Sequence, residues 1–396
     1  MALYSTTRLK DISAATGFSI NTVSKALKDS PSISEPTKAL IREKAREAGY
    51  VGNGIAGALR SGVTKTIAVI YGDISNPYFS INIKEIEHRV RSNGYSTFIL
   101  NTDEDAALEY DAIVSVLSKN VDGVIICPSQ RNTDSVALLK RSGVPFVLIG
   151  RRFRDIETDY VVCDDRQGGY LATDHLLQLG HRRIAFFGGP AFVSSTQERL
   201  RGYQEALFAR DVPYDPSVIF EFPLLRDGLR DDMAERISQA AGCTAIFAFS
   251  DIIALEAIAC LQKHGRLVPD DVSVVGFDNI QSKFAFPFPL TSIRASKKSM
   301  SIYASDILLE KMRAEKKRPQ AQECDPPDLP NPAERQSPPD MQNAPDMQSP
   351  QDMQNAPDMQ SPPDRQNAHD QKAEYRQIVI PVSLAERGSS REIRNK

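Results

Sequence analysis

The chain has 396 residues, of which 41% are hydrophobic and 25% charged, with a net charge of −3, so two or three globular domains are expected. No apolar stretch reaches the roughly 20 residues of a membrane helix, and the N-terminus lacks the apolar core of a secretory leader. The five cysteines and five histidines are scattered without metal-ligand spacing, so the expectation is a cytoplasmic protein with no membrane partner, no metal and no cofactor.

The charge is unevenly spread. Residues 1–62 carry nine Lys and Arg against five Asp and Glu, a net of +4, which leaves −7 for the remainder. A basic head on an acidic body is the asymmetry expected where one segment meets phosphate.

The first predicted element is a helix from Leu9 to Thr16, with Leu9, Ile12 and Ala15 at helical spacing and a stop at Gly17. A second runs from Ile20 to Leu27, capped by Ser19, with Val23 and Leu27 turned inward. A third begins at Ser34, accommodates Pro36 in its first turn and ends at Gly49, with Ile41, Ala45 and Ala48 as its inward stripe. Two short helices meeting at a glycine turn form the helix-turn-helix layout. The second presents Ile20, Asn21 and Lys25 outward. Asn can address adenine bidentately and Lys can donate to guanine, while Ser19, Thr22 and Ser24 are short donors suited to phosphate. A small helical bundle without a DNA role shares this layout.

Gly52-Asn53-Gly54-Ile55-Ala56-Gly57 fits G-x-G-x-x-G, the dinucleotide fingerprint that a dehydrogenase would carry. That motif requires a strand directly before it, whereas a helix precedes it here, so the match is read as accidental.

From residue 65 to 318 strands alternate with amphipathic helices. The predicted strands are Ile67–Tyr71, Thr97–Leu100, Val124–Cys127, Phe146–Ile149, Tyr160–Cys163, Ile184–Phe187, Val218–Phe222, Ala245–Phe249 and Val272–Phe277. Continuous apolar strands between helices imply parallel sheets covered on both faces, and this length implies two doubly wound lobes. Ligands bind beyond the carboxyl ends of such strands, so a cleft between lobes is the expected site. Tyr78 and Phe79 follow the first strand, Arg151 follows Phe146–Ile149, Asp251 follows Phe249, and Asp278 follows Phe277; Ser195 and Arg199 fall in a comparable place. Charged groups beside aromatic rings suit a polyhydroxylated ligand. Against this, Asp251 could simply cap a helix, and Arg199 could be a surface cation. No nucleophile elbow, metal-spaced His/Glu helix or P-loop occurs, so no catalysis is expected.

In residues 319–374 the pattern breaks. Asp340, Asp346, Asp352, Asp358, Asp364 and Asp370 recur every six residues among Pro, Gln and Asn, a composition that cannot bury a core. The segment is read as a disordered insertion. Order is expected to return in one strand at residues 377–382.

Seven stretches carry a family resemblance: Thr22-Val23-Ser24-Lys25-Ala26-Leu27, Ala48-Gly49-Tyr50, Asn76-Pro77-Tyr78-Phe79, Gly180-His181-Arg182-Arg183-Ile184-Ala185, Arg199-Leu200-Arg201-Gly202-Tyr203, Ser273-Val274-Val275-Gly276-Phe277-Asp278 and Arg387-Gly388-Ser389-Ser390. In this order the chain resembles the lactose-repressor/galactose-repressor family of transcription regulators. The resemblance implies an all-α helix-turn-helix head (1–50), a hinge (51–64), and a two-lobed periplasmic-binding-protein-like α/β domain (65–318 and 375–390) interrupted by the 319–374 insertion. It further implies a homodimer on a near-palindromic operator in double-stranded DNA, gated by a small effector, most readily a carbohydrate. Tyr78, Ser195, Arg199 and Asp278 match effector-touching positions. The hinge helix falls at Asn53–Arg60, with Leu59 the minor-groove wedge and Ala56 its small neighbour.

Two departures stand out. Gly54 and Gly57 each lower helix propensity by about 1 kcal/mol, and Lys25 stands where Arg is common. The competing reading, a solute-binding protein of the same two-lobed fold, lacks a use for the basic helical head.

Overall fold

The structure, a computed structural model, describes residues 7–52, 62–225, 229–283, 288–315 and 375–393. The 319–374 repeat and the hinge residues Asn53, Ala56 and Leu59 lie outside them.

The head consists of α1 (Leu9–Thr16), α2 (Ile20–Leu27) and α3 (Glu35–Glu47). Helix α1 opens with the Asp11 carboxylate accepting the Arg8 backbone N–H at 2.7 Å and closes on Gly17 at φ 74°. Helix α3 stops at Gly49, φ 62°, where the Tyr50 N–H returns to the Ala45 carbonyl at 2.8 Å, a helix end that glycine favours. The head core is Ile12, Val23, Ala26, Ile41 and Ala45, flanked by Leu9, Phe18, Leu27, Ile33 and Tyr50. Ala15 and Ala48, expected inward, are exposed. Ala15 lies on the flank of α1, and Ala48 is the cap residue just past the last turn of α3. Lys38 takes the inner place one turn before Ile41, with its ammonium paired to Asp29 at 3.0 Å and Glu35 at 2.7 Å.

Two six-stranded sheets follow. Lobe 1 contains β1 (Thr66–Tyr71), β2 (Ser96–Asn101), β3 (Gly123–Ile126), β4 (Phe146–Ile149), β5 (Tyr160–Cys163) and β11 (Gln377–Ile380) in the order β11-β5-β4-β3-β1-β2, with every pairing parallel. Its helices include α4 (Pro77–Arg91), α5 (Ala106–Ser118) and α6 (Asp134–Ser142). Lobe 2 contains β6 (Ile184–Gly188), β7 (Ile219–Glu221), β8 (Ala245–Ala248), β9 (Ser273–Phe277), β10 (Thr291–Ala295) and β12 (Val382–Ala385) in the order β12-β10-β9-β8-β6-β7. Helices α7 (Asp165–Gln178), α8 (Ser194–Ala209), α9 (Leu229–Gln239) and α10 (Asp251–Lys263) belong with it. In each lobe the order reverses beside the first strand, which opens a crevice at the carboxyl ends of the strands.

Three crossings join the lobes: β5 to α7, β10 to α11 (Lys297–Glu315), and β11 to β12. Helix α11 leaves lobe 2 and packs on lobe 1. There Leu308 and Met312 press against Gly123, Ser301 donates to the Asn82 carbonyl at 3.1 Å, and Asp306 accepts a two-pronged bond from Arg89.

The expected single strand at 377–382 is two strands in two sheets. Pro381, which has no N–H to give a ladder, stands where the chain leaves β11, parallel to β5, and enters β12, antiparallel to β10. Lobe 2 is therefore mixed rather than wholly parallel. Strand β10 escapes the apolar-run criterion because Thr291 and Ser292 are buried through polar contacts: the Thr291 N–H donates to Ser389 Oγ, and Ser292 Oγ donates to Asp251. Residue 218, read as strand, closes a 3-10 turn instead.

Candidate functional site

The head presents its second helix to solvent. Ile20 is 51% exposed, and Asn21 and Lys25 are exposed beside it. Val23 and Ala26 occupy the opposite face and hold the helix to α1 and α3. Ser19 Oγ accepts the Thr22 N–H at 3.1 Å and lies 2.9 Å from Thr22 Oγ1, so both hydroxyls stay at the helix start. Ser24 is half-buried, one turn further on.

The cavity is built from strand ends. Asn76, Tyr78 and Phe79 follow β1, Glu104 follows β2, Cys127 follows β3, and Gly150 and Arg151 follow β4. From lobe 2 come Ser195, Arg199, Leu224, Phe249, Ser250, Ile252, Ile253 and Asp278. Asn76 caps α4 by accepting the Tyr78 N–H at 2.9 Å and so turns the two aromatic rings inward, edge to face at 5.4 Å. The Tyr78 hydroxyl reaches Met300 Sδ on α11 at 3.5 Å.

Arg199 is buried between rings, with its guanidinium carbon 3.5 Å from the Phe277 centroid and 4.3 Å from that of Phe249. Its Nε donates to Asp165 at 2.8 Å and its Nη1 to the Phe249 carbonyl. The α7–α8 packing that permits this is tight. A Cβ on Gly169 would lie 2.1 Å from the Arg199 carbonyl, and one on Gly202 would lie 1.9 Å from the Arg166 carbonyl. Burial pushes the Asp165 carboxyl up, against the pull of Arg199.

Asp278 is 5% exposed and sits at φ 108°, a strained conformation for a residue with a Cβ. Its backbone carbonyl is held by the Lys297 ammonium, which reaches the Asn279 carbonyl as well. Among the described residues no side chain or backbone group hydrogen-bonds its carboxylate. Burial raises its pKa, with Arg199 pulling the other way.

On the lobe 1 side, Arg151 is buried and clasped by Glu104: Nη1 to Oε2 at 2.6 Å and Nη2 to Oε1 at 2.8 Å, with the Pro128 carbonyl accepting from Nη1 at 2.9 Å. The Glu104 charge raises the Arg151 pKa, overcoming the desolvation that lowers it.

Tyr78, Phe79, Arg151, Ser195, Arg199 and Asp278 are thus brought together as expected from the sequence. Asp251 is not. Its oxygens accept Ser292 Oγ at 2.6 Å and the Ile280 N–H at 2.8 Å, so it braces α10 against β10 and the turn after β9, outside the cavity lining. Ser250, not Asp251, caps α10. Sequence reasoning missed Glu104 and Phe249. The rule that found Arg151, a charged residue just past a strand's carboxyl end, applies equally to Glu104.

The fold and cavity define a two-lobed ligand-binding protein that carries a helix-turn-helix head. Residues 64–330 match the family described as periplasmic binding proteins and sugar binding domain of LacI family. The chain is 31% identical over 314 residues to the HTH-type transcriptional repressor PurR of Actinobacillus pleuropneumoniae serotype 3, covering 79% of this chain and 94% of that one. It is 34% identical over 298 residues to the HTH-type transcriptional regulator DegA of Bacillus subtilis, covering 74% and 88%. The lac repressor dimer bound to operator and the anti-inducer ONPF superposes with a TM-score of 0.73 at 19% identity, over 98% of this chain and 100% of that one. The transcriptional regulator CelR in complex with cellobiose gives 0.62 at 23% identity, over 97% and 99%. These two likenesses concern the fold. The chain belongs to the LacI family, and the named relatives are transcriptional regulators.

Proposed function

We propose that this protein is a cytoplasmic, sequence-specific transcription repressor that binds operator DNA as a homodimer and is gated by a small carbohydrate. The observation that carries the effector half is the Asp278 carboxyl, 5% exposed and without a hydrogen-bond partner among the described residues, in a cavity that also holds the Arg199 guanidinium. A diol donates to the first and accepts from the second, and Tyr78, Phe79 and Phe249 can cover the ligand's apolar face. In the head, Asn21 and Lys25 of α2 read bases while Ser19, Thr22 and Ser24 meet phosphate. Leu59, with Ala56 and Asn53, serves the hinge and its wedge.

Support for the dimer comes from lobe 1. Ile74, Ile99 and Leu108, each more than 40% exposed, lie on or beside the edge strand β2, and a second copy would cover them. The ligand acts by changing the relation between lobes, and a coupling of about 1–3 kcal/mol suffices. No catalytic step is assigned.

The test is selection of random duplex DNA by the full-length protein. A pseudo-palindrome with half-sites about one helical turn apart is expected, with enrichment lost in Asn21→Ala. A protein that enriches no DNA but binds sugars would support the solute-binding reading instead.

A further inference from the structure

Glu104 lines the cavity, yet the effector reading assigns it no task. Several separate features hold it there. Gly72 has no side chain, and a Cβ at that position would lie 2.3 Å from the Glu104 carboxyl carbon. Asp103 and Glu104 both adopt left-handed backbone conformations, φ 47° and 53°, which residues with a Cβ rarely take. Arg131 donates its Nε to the Glu104 carbonyl at 3.0 Å. The carboxylate itself is 95% buried and engages both outer nitrogens of Arg151.

The charge inventory of the cavity follows. Each guanidinium that lines it is already matched by a buried carboxylate, Arg151 by Glu104 and Arg199 by Asp165. The remaining lining acid, Asp278, supplies no positive charge in either protonation state. A phosphate group binds where arginine forks are free to donate. To use the two-pronged Arg151 fork it would have to displace Glu104. That would leave a buried carboxylate without its partner beside a dianion, an arrangement penalised by both desolvation and like-charge repulsion.

We infer that Glu104 is a specificity-determining residue that makes the cavity refuse anionic ligands, so that the effector is an uncharged hydroxylated molecule and its phosphorylated form is excluded. The inference rests on the cavity being the effector site.

The experiment uses the full-length protein and its Glu104→Gln variant, which keeps the side chain's size and one of the two acceptors facing Arg151 while removing the charge. Inorganic phosphate, D-ribose 5-phosphate and D-ribose are titrated calorimetrically and by thermal unfolding, against sodium chloride of equal ionic strength. The wild type is expected to show no saturable response to either phosphate compound. Glu104→Gln is expected to bind inorganic phosphate at least about tenfold more tightly, and the gain should vanish in Glu104→Gln/Arg151→Ala. Saturable binding of D-ribose 5-phosphate or phosphate by the wild type, abolished by Arg151→Ala, overturns the inference, and so does a folded Glu104→Gln without the gain. The wild-type titrations decide even if the variant does not fold. Operator binding is followed in the same samples. A wild type whose DNA affinity responds to D-ribose 5-phosphate would keep the regulator reading and lose this one. A protein that binds no DNA, yet gains phosphate in Glu104→Gln, would do the reverse.

Discussion

Gly202 offers a sharp test of how helix packing builds the cavity. Its Cα faces the Arg166 carbonyl so closely that an added methyl would lie 1.9 Å from that oxygen, whereas a carbon and a carbonyl oxygen settle at about 3.3 Å or more. Gly202→Ala must therefore part α7 and α8 by roughly 1.4 Å, since backbone rather than a flexible side chain stands in the way. Overpacking of this kind costs about 1–3 kcal/mol or more. The opposing gain, alanine over glycine inside a helix, is about 1 kcal/mol, so the clash wins by about 2 kcal/mol if the cost lies at the upper end. For a domain of this size that is a fall in melting temperature of roughly 4–8 °C. The same parting stretches the 2.8 Å Arg199–Asp165 bond beyond hydrogen-bonding range, so ligand response should fail even below the new melting temperature. Thermal unfolding and ligand-dependent operator binding read the two effects separately. An unchanged melting temperature with an intact ligand response would refute the claim that these glycines set the site geometry.

Ile41→Ala removes the middle of a head core built on five buried residues. Its cost of about 2–5 kcal/mol rivals the stability of so small a unit, so DNA binding should disappear while the main unfolding transition of the lobes stays in place. In Asp278→Asn the ligand response should be lost without loss of stability. Burial raises the folded pKa of Asp278, so the native state holds a proton that the unfolded state has released, and stability drains away as pH rises above the ordinary aspartate range; denaturant titrations at about pH 5 and pH 8 should show a smaller difference in the variant. His181 has the opposite sign: burial depresses its pKa to about 4, so its contribution is complete above pH 6.5 and is lost as pH falls from there through about 4. His181→Gln should flatten that acid limb of the stability curve by up to about 3 kcal/mol. Shortening residues 319–374 to a brief linker should leave the melting temperature within about 1–2 °C, because that composition cannot contribute a core.

Much of the site was readable from local pattern. The three head helices were visible because capping residues and the 3.6 periodicity act within a few positions of chain. The lobes were visible because parallel strands buried on both faces are continuous apolar runs, and the switch-point rule then placed Tyr78, Arg151 and Asp278 at strand ends. What failed depended on partners distant in sequence. Ala15 and Ala48 are apolar but fall outside their helices' inner arcs, whereas Lys38 is charged yet buried because Asp29 and Glu35 surround its ammonium. Strand β10 was hidden because its buried Thr291 and Ser292 are satisfied by Ser389 and Asp251, about 98 and 41 positions away.

By itself, then, the sequence determined the kind of protein: a helix-turn-helix head, two doubly wound lobes, and a family identity written in short motifs. Tertiary structure alone decided which charged side chains face the cavity. Asp251 and Asp278 both follow apolar strands, yet one is spent on Ser292 and Ile280 while the other, on a backbone turned to φ 108°, lines the cavity. Glu104 reaches Arg151 only because Gly72, 32 positions earlier, leaves room for it. Local pattern reports the period of an element, but the direction of a side chain beyond its end depends on backbone conformation and clearances that only the assembled fold supplies.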